Sequence, residues 1–206
     1  MLKTIVFDFG NVLGFFDYRL TTERLAPHSP LSADDIRHFI YGGELEDAYE
    51  SGRITSADFL RRVRHGCGLT CPDEALTQAY VEMFWPNEEV CALVPRLRPH
   101  YKLLLGSNTT ELHSRHFLRQ FADTLRHFDA VVLSHEVGAR KPRREFFQHA
   151  QALAGCAPEE CLFIDDVPAN VAGARALGWQ GIGYSRGTDL GAELAKLGVR
   201  LAAPGL

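Results

Sequence analysis

The sequence has no uninterrupted run of the roughly 18 to 20 apolar residues that a transmembrane helix needs. The acidic Asp8 comes too early for a secretory signal segment. Positive charge is not in excess either, because 22 Lys and Arg stand against 26 Asp and Glu, for a net charge of -4 at pH 7. We therefore expect a cytoplasmic protein that binds neither membranes nor nucleic acid, and that holds any phosphate-bearing ligand through local groups.

Cysteine is scarce, and its count of five is odd. An odd number spread along the chain does not suit a disulfide framework. Cys67 and Cys71 lie near His65, but no second Cys or His pair at ligand spacing would complete a four-ligand zinc site. The sequence therefore predicts free thiols.

Short apolar runs predict the strands of a buried parallel sheet. The composition, 46% hydrophobic and 23% charged, is that of an ordinary globular protein. The runs are continuous rather than alternating, which is typical of strands buried on both faces. Segments with helical spacing separate the later runs, so we predict an α/β fold, a doubly wound, Rossmann-like parallel sheet. The predicted strands are residues 4–7, 102–105, 130–133, 162–164 and 181–184.

The interval between the first two predicted strands is far longer than a simple crossover requires. Within it, Ser32 and Thr55 each precede an Asp by three residues, a pattern close to the capping box that begins many helices. We therefore predict a small helical cap domain over residues 16–87, inserted into a core domain of residues 1–15 and 88–206. Residues 15–19 and 85–88 are the expected hinges.

Polar side chains follow the first four predicted strands, and the carboxyl ends of parallel strands share one edge of a sheet. Several carboxylates at such an edge repel one another unless a cation neutralises them. Because all the available ligands are hard oxygens, the sequence favours Mg²⁺. The polar residues are Asp8, Ser107 and Asn108, Lys141, and Asp165 and Asp166.

The same residues are suited to phosphoryl transfer. Ser107 and Asn108, together with the ammonium of Lys141, can hold an anion beside the metal. An aspartate such as Asp8 can act as a nucleophile and form an acyl phosphate. The metal and the lysine would offset the charge on the transferring group.

These residues resemble the four motifs of the haloacid dehalogenase superfamily of aspartate-nucleophile phosphatases. The motifs occur in order, at residues 6–13, 104–108, 138–142 and 163–166. The sequence is most similar to the small capped sugar-phosphate phosphatases of the alpha-glucose-1-phosphate phosphatase type. The similarity extends to the phosphatase domain of soluble epoxide hydrolases.

The resemblance implies a role for each matching position. Asp8 would be both the nucleophile and a magnesium ligand, and Lys141 would bridge the phosphate and the nucleophile. The cap would select the substrate and exclude water. The backbone carbonyl of Gly10 would be the second magnesium ligand and Asp166 the third. Asp165 would support the metal directly or through water. Ser107 and Asn108 would bind the phosphate.

One position departs from the family pattern. Most phosphatases of this superfamily carry a second Asp two residues after the nucleophile, where it transfers protons, but here Gly10 occupies that place. Asp17 in the following hinge, or a cap residue such as Glu44, is a candidate replacement; a good leaving group could also depart with the help of water. Dehalogenases lack this second Asp too, but they need no magnesium and usually lack the paired acids that Asp165 and Asp166 provide here.

The sequence thus predicts a magnesium-dependent phosphatase that hydrolyses a small phosphorylated metabolite, such as a sugar phosphate, through an aspartyl-phosphate intermediate. Two alternatives stay open: a 2-haloacid dehalogenase, and a non-catalytic module that binds a phosphate ligand. No sequence feature sets the oligomeric state. Candidates for substrate specificity, chosen only by their position in the cap, are Glu44, Tyr49, Glu50 and Arg53.

Overall fold

The computed structural model describes residues 1–203 and contains a five-stranded parallel sheet flanked by helices. None of the helices in this part of the chain is long and apolar enough to cross a bilayer. The strands of the sheet run in the spatial order β5-β4-β1-β6-β7. The predicted α/β fold is confirmed. The strands are β1 (Thr4–Phe7), β4 (Lys102–Ser107), β5 (Ala130–Leu133), β6 (Cys161–Asp165) and β7 (Gln180–Gly183), and two further short strands, β2 (Gly14–Phe16) and β3 (Phe84–Pro86), lie outside this sheet.

The sheet is buried on both faces, which explains the continuous apolar runs in the sequence. In β1, Ile5 and Phe7 pack into one hydrophobic cluster, and Val6 packs into another on the opposite face. Burial on both faces follows from the helices that cover each side of a doubly wound sheet. The covering helices are α6 (Glu88–Cys91), α7 (Val94–Leu97), α8 (Glu111–Gln120), α9 (Ala122–Leu125), α10 (Ser134–Val137), α11 (Arg144–Ala154), α12 (Pro168–Arg175) and α13 (Leu190–Lys196), with a 3₁₀ turn at Pro158–Glu160.

The inserted segment is helical and has a hydrophobic cluster of its own, in which Tyr49 and Phe59 are among the buried residues. Ser32 caps its helix through a reciprocal capping box with Asp35. Thr55 accepts a hydrogen bond from the backbone N–H of Asp58, as its spacing predicts. The cap helices are α1 (Tyr18–Leu25), α2 (Ala33–Ile40), α3 (Glu44–Glu50), α4 (Ser56–Gly66) and α5 (Asp73–Val81), with a 3₁₀ turn at Ala26–His28.

The two segments that join the cap to the core pair with each other. Strands β2 and β3 form an antiparallel ribbon, in which Phe15 lies opposite Trp85 and Phe16 lies opposite Phe84. The cap also rests on α8, where the backbone N–H of Leu112 donates to the hydroxyl of Tyr49 at 3.2 Å. The cap is therefore held over the carboxyl edge of the sheet by a paired ribbon and by direct contacts.

Candidate active site

The order of the strands brings the predicted polar residues together. Strand β1 lies between β4 and β6, so Asp8 at its end lies between the ends of the two neighbouring strands. Ser107 is the last residue of β4, and Asp165 is the last residue of β6. Lys141 reaches the same edge from the loop between α10 and α11. The carboxyl edge of the sheet is thus where Asp8, the two other acids and the lysine meet, as open parallel sheets favour.

The ammonium of Lys141 lies at the centre of this group. Its side chain has no solvent exposure, and Nζ donates to Oδ1 of Asp8 at 2.7 Å, to Oδ2 of Asp165 at 2.7 Å and to the carbonyl of Gly106 at 2.8 Å. All three protons of the ammonium therefore have an acceptor, as a buried charge requires. Asn108 fixes the backbone of Lys141, because its amide accepts from the Lys141 N–H at 2.7 Å and donates to the Lys141 carbonyl at 3.0 Å.

Three carboxylates face one another beside this lysine. One oxygen from each of Asp8, Asp165 and Asp166 lies within 4.8 Å of the others. Asn170 donates to both oxygens of Asp165, at 3.0 and 3.1 Å, and Asn11 donates to Oδ2 of Asp166 at 3.0 Å. These amides orient the carboxylates, and the arrangement brings three hard-oxygen groups to within the reach of a single ion.

The electrostatics of the group favour a further cation. Burial raises the pKa of Asp8 to about 7, and the charge of Asp165 adds to the rise while Lys141 opposes it. Burial alone would lower the pKa of Lys141, but attraction to Asp8 and Asp165 outweighs it, and the pKa is raised. Burial also raises the pKa of Asp166. Three acidic groups share one ammonium, so a divalent cation would relieve their repulsion.

A small cavity of about 50 Å³ lies between this edge and the cap. Ser107 and Asn108 line it from the core, together with Gly10, and Glu50 lines it from the cap. Its volume is well below the roughly 300 to 1,000 Å³ of ordinary ligand pockets. Core and cap residues both line this small space, which is called the enclosed cavity below.

The two residues proposed as replacement proton donors line other cavities. Asp17 is the N-cap of α1 and pairs with Arg19, whose hydrogen bonds lower the pKa of the Asp17 carboxyl. It lines another cavity, of about 470 Å³, together with Asp166 and Asn11. Glu44 lines a cavity of about 1,120 Å³ that is bounded by cap residues. Neither residue lines the enclosed cavity.

Three features of the site were not predicted from the sequence. Asn11 and Asn170 hold acidic side chains, although nothing in their spacing marks them. Asn11 has a φ of 55°, a left-handed conformation that Asn tolerates better than most residues, so Asn in the turn after Asp8 is a weak signal. The third feature is the position of Glu50 in the enclosed cavity beside Arg140. That position depends on how the cap docks.

Comparisons with known proteins agree with this geometry. The D-ribitol-5-phosphate phosphatase of Bacteroides thetaiotaomicron is 26% identical over 202 residues, which cover 94% of this chain and 97% of the relative. A solved haloacid dehalogenase family enzyme from the same organism, in complex with magnesium and inorganic phosphate, has a TM-score of 0.81 at 25% identity and covers 94% of this chain and 99% of its own. A predicted haloacid dehalogenase-like hydrolase from Porphyromonas gingivalis has a TM-score of 0.82 at 29% identity, with 96% and 98% covered. The family model of the haloacid dehalogenase-like hydrolases matches residues 2–178, so this chain belongs to the haloacid dehalogenase-like hydrolase family.

Proposed function

We propose that the protein is a phosphatase that hydrolyses a small phosphorylated metabolite through an aspartyl-phosphate on Asp8. The observation that carries the proposal is the buried ammonium of Lys141, 2.7 Å from both Asp8 and Asp165, with Asp166 completing a cluster of three acids. A buried lysine beside a nucleophilic carboxylate is well placed to bind the oxygens of a phosphoryl group.

The cluster fits a magnesium ion. Its donors are carboxylate oxygens, the ligand type that Mg²⁺ prefers, and one ammonium does not balance three acids. Asp8, Asp166 and the carbonyl of Gly10 would hold the ion, with Asp165 in direct or water-mediated support. The magnesium and phosphate complex of the solved Bacteroides relative supports this assignment. When bound, Mg²⁺ supplies positive charge that offsets the negative charge of the transferring phosphoryl group.

The side chains around the ion would position the nucleophile and bind the phosphate. Asp8 is oriented by hydrogen bonds from Lys141 Nζ and from the backbone N–H of Phe9, both at 2.7 Å to Oδ1. It forms the bond to phosphorus. Ser107 and Asn108 line the cavity where the phosphate oxygens would lie. The cap would exclude bulk water from the substrate-bound site, which would strengthen each of these electrostatic contacts.

The substrate class rests on two supports. One relative that spans nearly the whole chain is named a D-ribitol-5-phosphate phosphatase. The small volume of the cavity between core and cap favours a small ester over a macromolecule. The dehalogenase alternative is favoured by Gly10, which stands where most phosphatases of this family have a second Asp. The acid cluster with its Asn11 and Asn170 contacts opposes it, because carbon–halogen displacement has no use for a divalent ion site.

A phosphate-release screen tests the proposal. Sugar, polyol and nucleotide phosphates are incubated with the protein with and without Mg²⁺, beside the variant Asp8→Asn and beside haloacids with a chelator. We expect magnesium-dependent phosphate release that Asp8→Asn abolishes. Chloride release in the presence of the chelator would establish the dehalogenase instead. Full activity of Asp8→Asn would exclude the aspartyl-phosphate, and tight binding of phosphate esters without turnover would indicate a binding module.

A further inference from the structure

The place of the missing second Asp is closed by an aromatic ring. A Cβ atom added at Gly10 would lie 3.0 Å from Cε1 of Phe16. The Phe16 ring is itself packed, with its centroid 5.0 Å from that of Tyr18 and 6.2 Å from that of Phe84. An acidic side chain at position 10 would therefore need this aromatic group to move. The proton donor must come from another direction.

Glu50 faces the same enclosed cavity from the cap. It is the last residue of α3, is only 8% exposed, and lines the cavity together with Gly10, Ser107 and Asn108. Its Oε2 forms an ion pair with Nε of Arg140 at 2.7 Å, but neither of these two atoms makes a hydrogen bond. A buried carboxyl oxygen that makes no hydrogen bond is costly even beside a guanidinium group, and it calls for an explanation.

The other acidic groups near the end of α3 make hydrogen bonds. Glu46 accepts from the backbone N–H of Gly42 at 2.7 Å and from the hydroxyl of Tyr18 at 3.4 Å. Asp47 accepts from Arg140 at 3.0 Å and also pairs with Arg53, and it lines the outer cap cavity instead. Among residues 1–203, Glu50 is the carboxyl group from the cap that lines the enclosed cavity.

Two other titratable side chains line this cavity: Tyr18, whose pKa is raised by burial and whose hydroxyl donates to Glu46, and His113. Its Nε2 lies 3.0 Å from the carbonyl of Tyr80, which can only accept, so Nε2 carries the proton. Burial lowers the pKa of His113 to about 3, which leaves the ring neutral at physiological pH. It is therefore a poor proton donor to a leaving group.

We propose that Glu50 is the general acid and base of the reaction, in the role that Gly10 cannot fill. This inference rests on the proposed phosphatase function. In the first half-reaction, the Asp8 oxygen bonds to phosphorus, the bond from phosphorus to the ester oxygen breaks, and the proton of Glu50 passes to that oxygen to release an alcohol. In the second, the Glu50 carboxylate takes a proton from water. The water oxygen bonds to phosphorus as the bond to Asp8 breaks, which releases phosphate and restores both carboxyl groups.

The surroundings of Glu50 suit a proton donor. Burial is the largest effect and raises its pKa to about 8, with Glu46 and Asp8 adding to the rise while Arg140 and Lys141 oppose it. A carboxyl group with a pKa in this range is protonated at neutral pH and can give up its proton during the reaction. Arg140 then lies close enough to stabilise the carboxylate that forms.

The position of Glu50 also ties proton transfer to closure of the cap. Arg140, which contacts it, directly precedes Lys141 in the core. Two residues after Glu50, Gly52 lies so near the core that a Cβ atom there would be 2.2 Å from the carbonyl oxygen of His135. The donor is therefore in place only when this turn of the cap contacts the core.

The test compares two leaving groups in Glu50→Gln. An alkyl phosphate, the best substrate from the screen, needs a proton on its leaving oxygen, whereas dinitrophenyl phosphate does not. We expect kcat for the alkyl ester to fall by about 10²- to 10⁴-fold. With dinitrophenyl phosphate, the first turnover should keep nearly its wild-type rate and release one equivalent of dinitrophenolate. A slow steady state should follow, with phosphate retained on Asp8 and detectable by mass spectrometry of acid-quenched protein.

Asp47→Asn is the matched control, because it removes a cap–core ion pair to the same Arg140 but no group from the enclosed cavity. It should show neither the leaving-group dependence nor the burst. The inference is overturned if Glu50→Gln slows the first turnover of both esters equally, leaves the alkyl ester unaffected, or behaves like Asp47→Asn. Unfolding midpoints of the variants identify a loss due to misfolding. Failure of the proposed function looks different, because the wild-type protein would then release no phosphate or Asp8→Asn would stay active.

Discussion

Replacing Lys141 with Met tests whether one ammonium holds the acid cluster together. The substitution keeps the length and apolar stem of the side chain but removes three charge-assisted hydrogen bonds, at 2.7, 2.7 and 2.8 Å. The side chain has no solvent exposure, so water does not replace the lost partner. Removing one member of a buried ion pair costs about 3 to 5 kcal/mol, because the remaining charges stay buried without compensation. We expect the free energy of unfolding in EDTA to fall by about that amount.

Urea unfolding of the wild-type protein and the variant measures this difference. Lys102→Met is a suitable control, since Nζ of Lys102 donates to a single backbone carbonyl, that of Leu153, and should cost only about 1 kcal/mol. Adding Asp165→Asn to Lys141→Met removes one uncompensated charge and should recover at least about 1 kcal/mol. A loss below about 1 kcal/mol for Lys141→Met, or no recovery in the double variant, would refute the claim that this lysine compensates two buried carboxylates.

Three further outcomes are expected. Gly52→Ala should raise KM and lower kcat, because Gly52 has a φ of 67° and the new Cβ would lie 2.2 Å from the carbonyl oxygen of His135. The control is Gly42→Ala, which should leave the kinetics near wild type because Gly42 has a similar φ of 80° but open space around it. The raised pKa of Glu50 means that the folded protein keeps a proton that the unfolded chain loses near pH 4.5, so stability is lost as pH rises towards about 8. The free energy of unfolding of Glu50→Gln, taken relative to wild type, should therefore increase from pH 6 to pH 8 by up to roughly 1.4 kcal/mol per pH unit. A difference that does not change with pH would contradict the raised pKa. In a thermal-shift titration, Mg²⁺ should raise the unfolding midpoint of the wild-type protein, and it should raise the midpoint of Asp166→Asn much less.

The sheet could be predicted from the sequence because its strands are buried on both faces. A continuous apolar run such as residues 162–164 is then a strong local signal, and the observed strand extends it by only one residue at each end. The ribbon of β2 and β3 could not be predicted in this way. Each of these strands has three residues, and the two pair across the whole length of the cap, so the pairing depends on the tertiary fold rather than on local pattern. The sequence marked these segments only as hinges.

The site likewise has residues that local sequence pattern could place and residues whose position depends on the tertiary fold. Asp8 and Asp165 each directly follow or end an apolar run, so the rule that ligands bind beyond the carboxyl ends of parallel strands placed them at one edge. Whether a cap residue reaches that edge depends on the rotation and docking of α3. Position alone could name Glu50 as a specificity candidate together with Glu44, but it could not show that one lines the enclosed cavity and the other lines the outer surface of the cap.

A proton donor on the cap has a consequence that a donor on the core would not have. An Asp at position 10 would sit beside the nucleophile whether the cap is open or closed, so water could be activated while the site is exposed. With Phe16 over Gly10 and the carboxyl of Glu50 on the cap, the acid group that protonates the leaving oxygen arrives only with closure. An ester whose leaving group is too large for the cap to close over it would then bind without efficient cleavage. Selectivity would therefore appear in kcat more than in KM, because closure would be required for the chemical step rather than for the first contact with the phosphate.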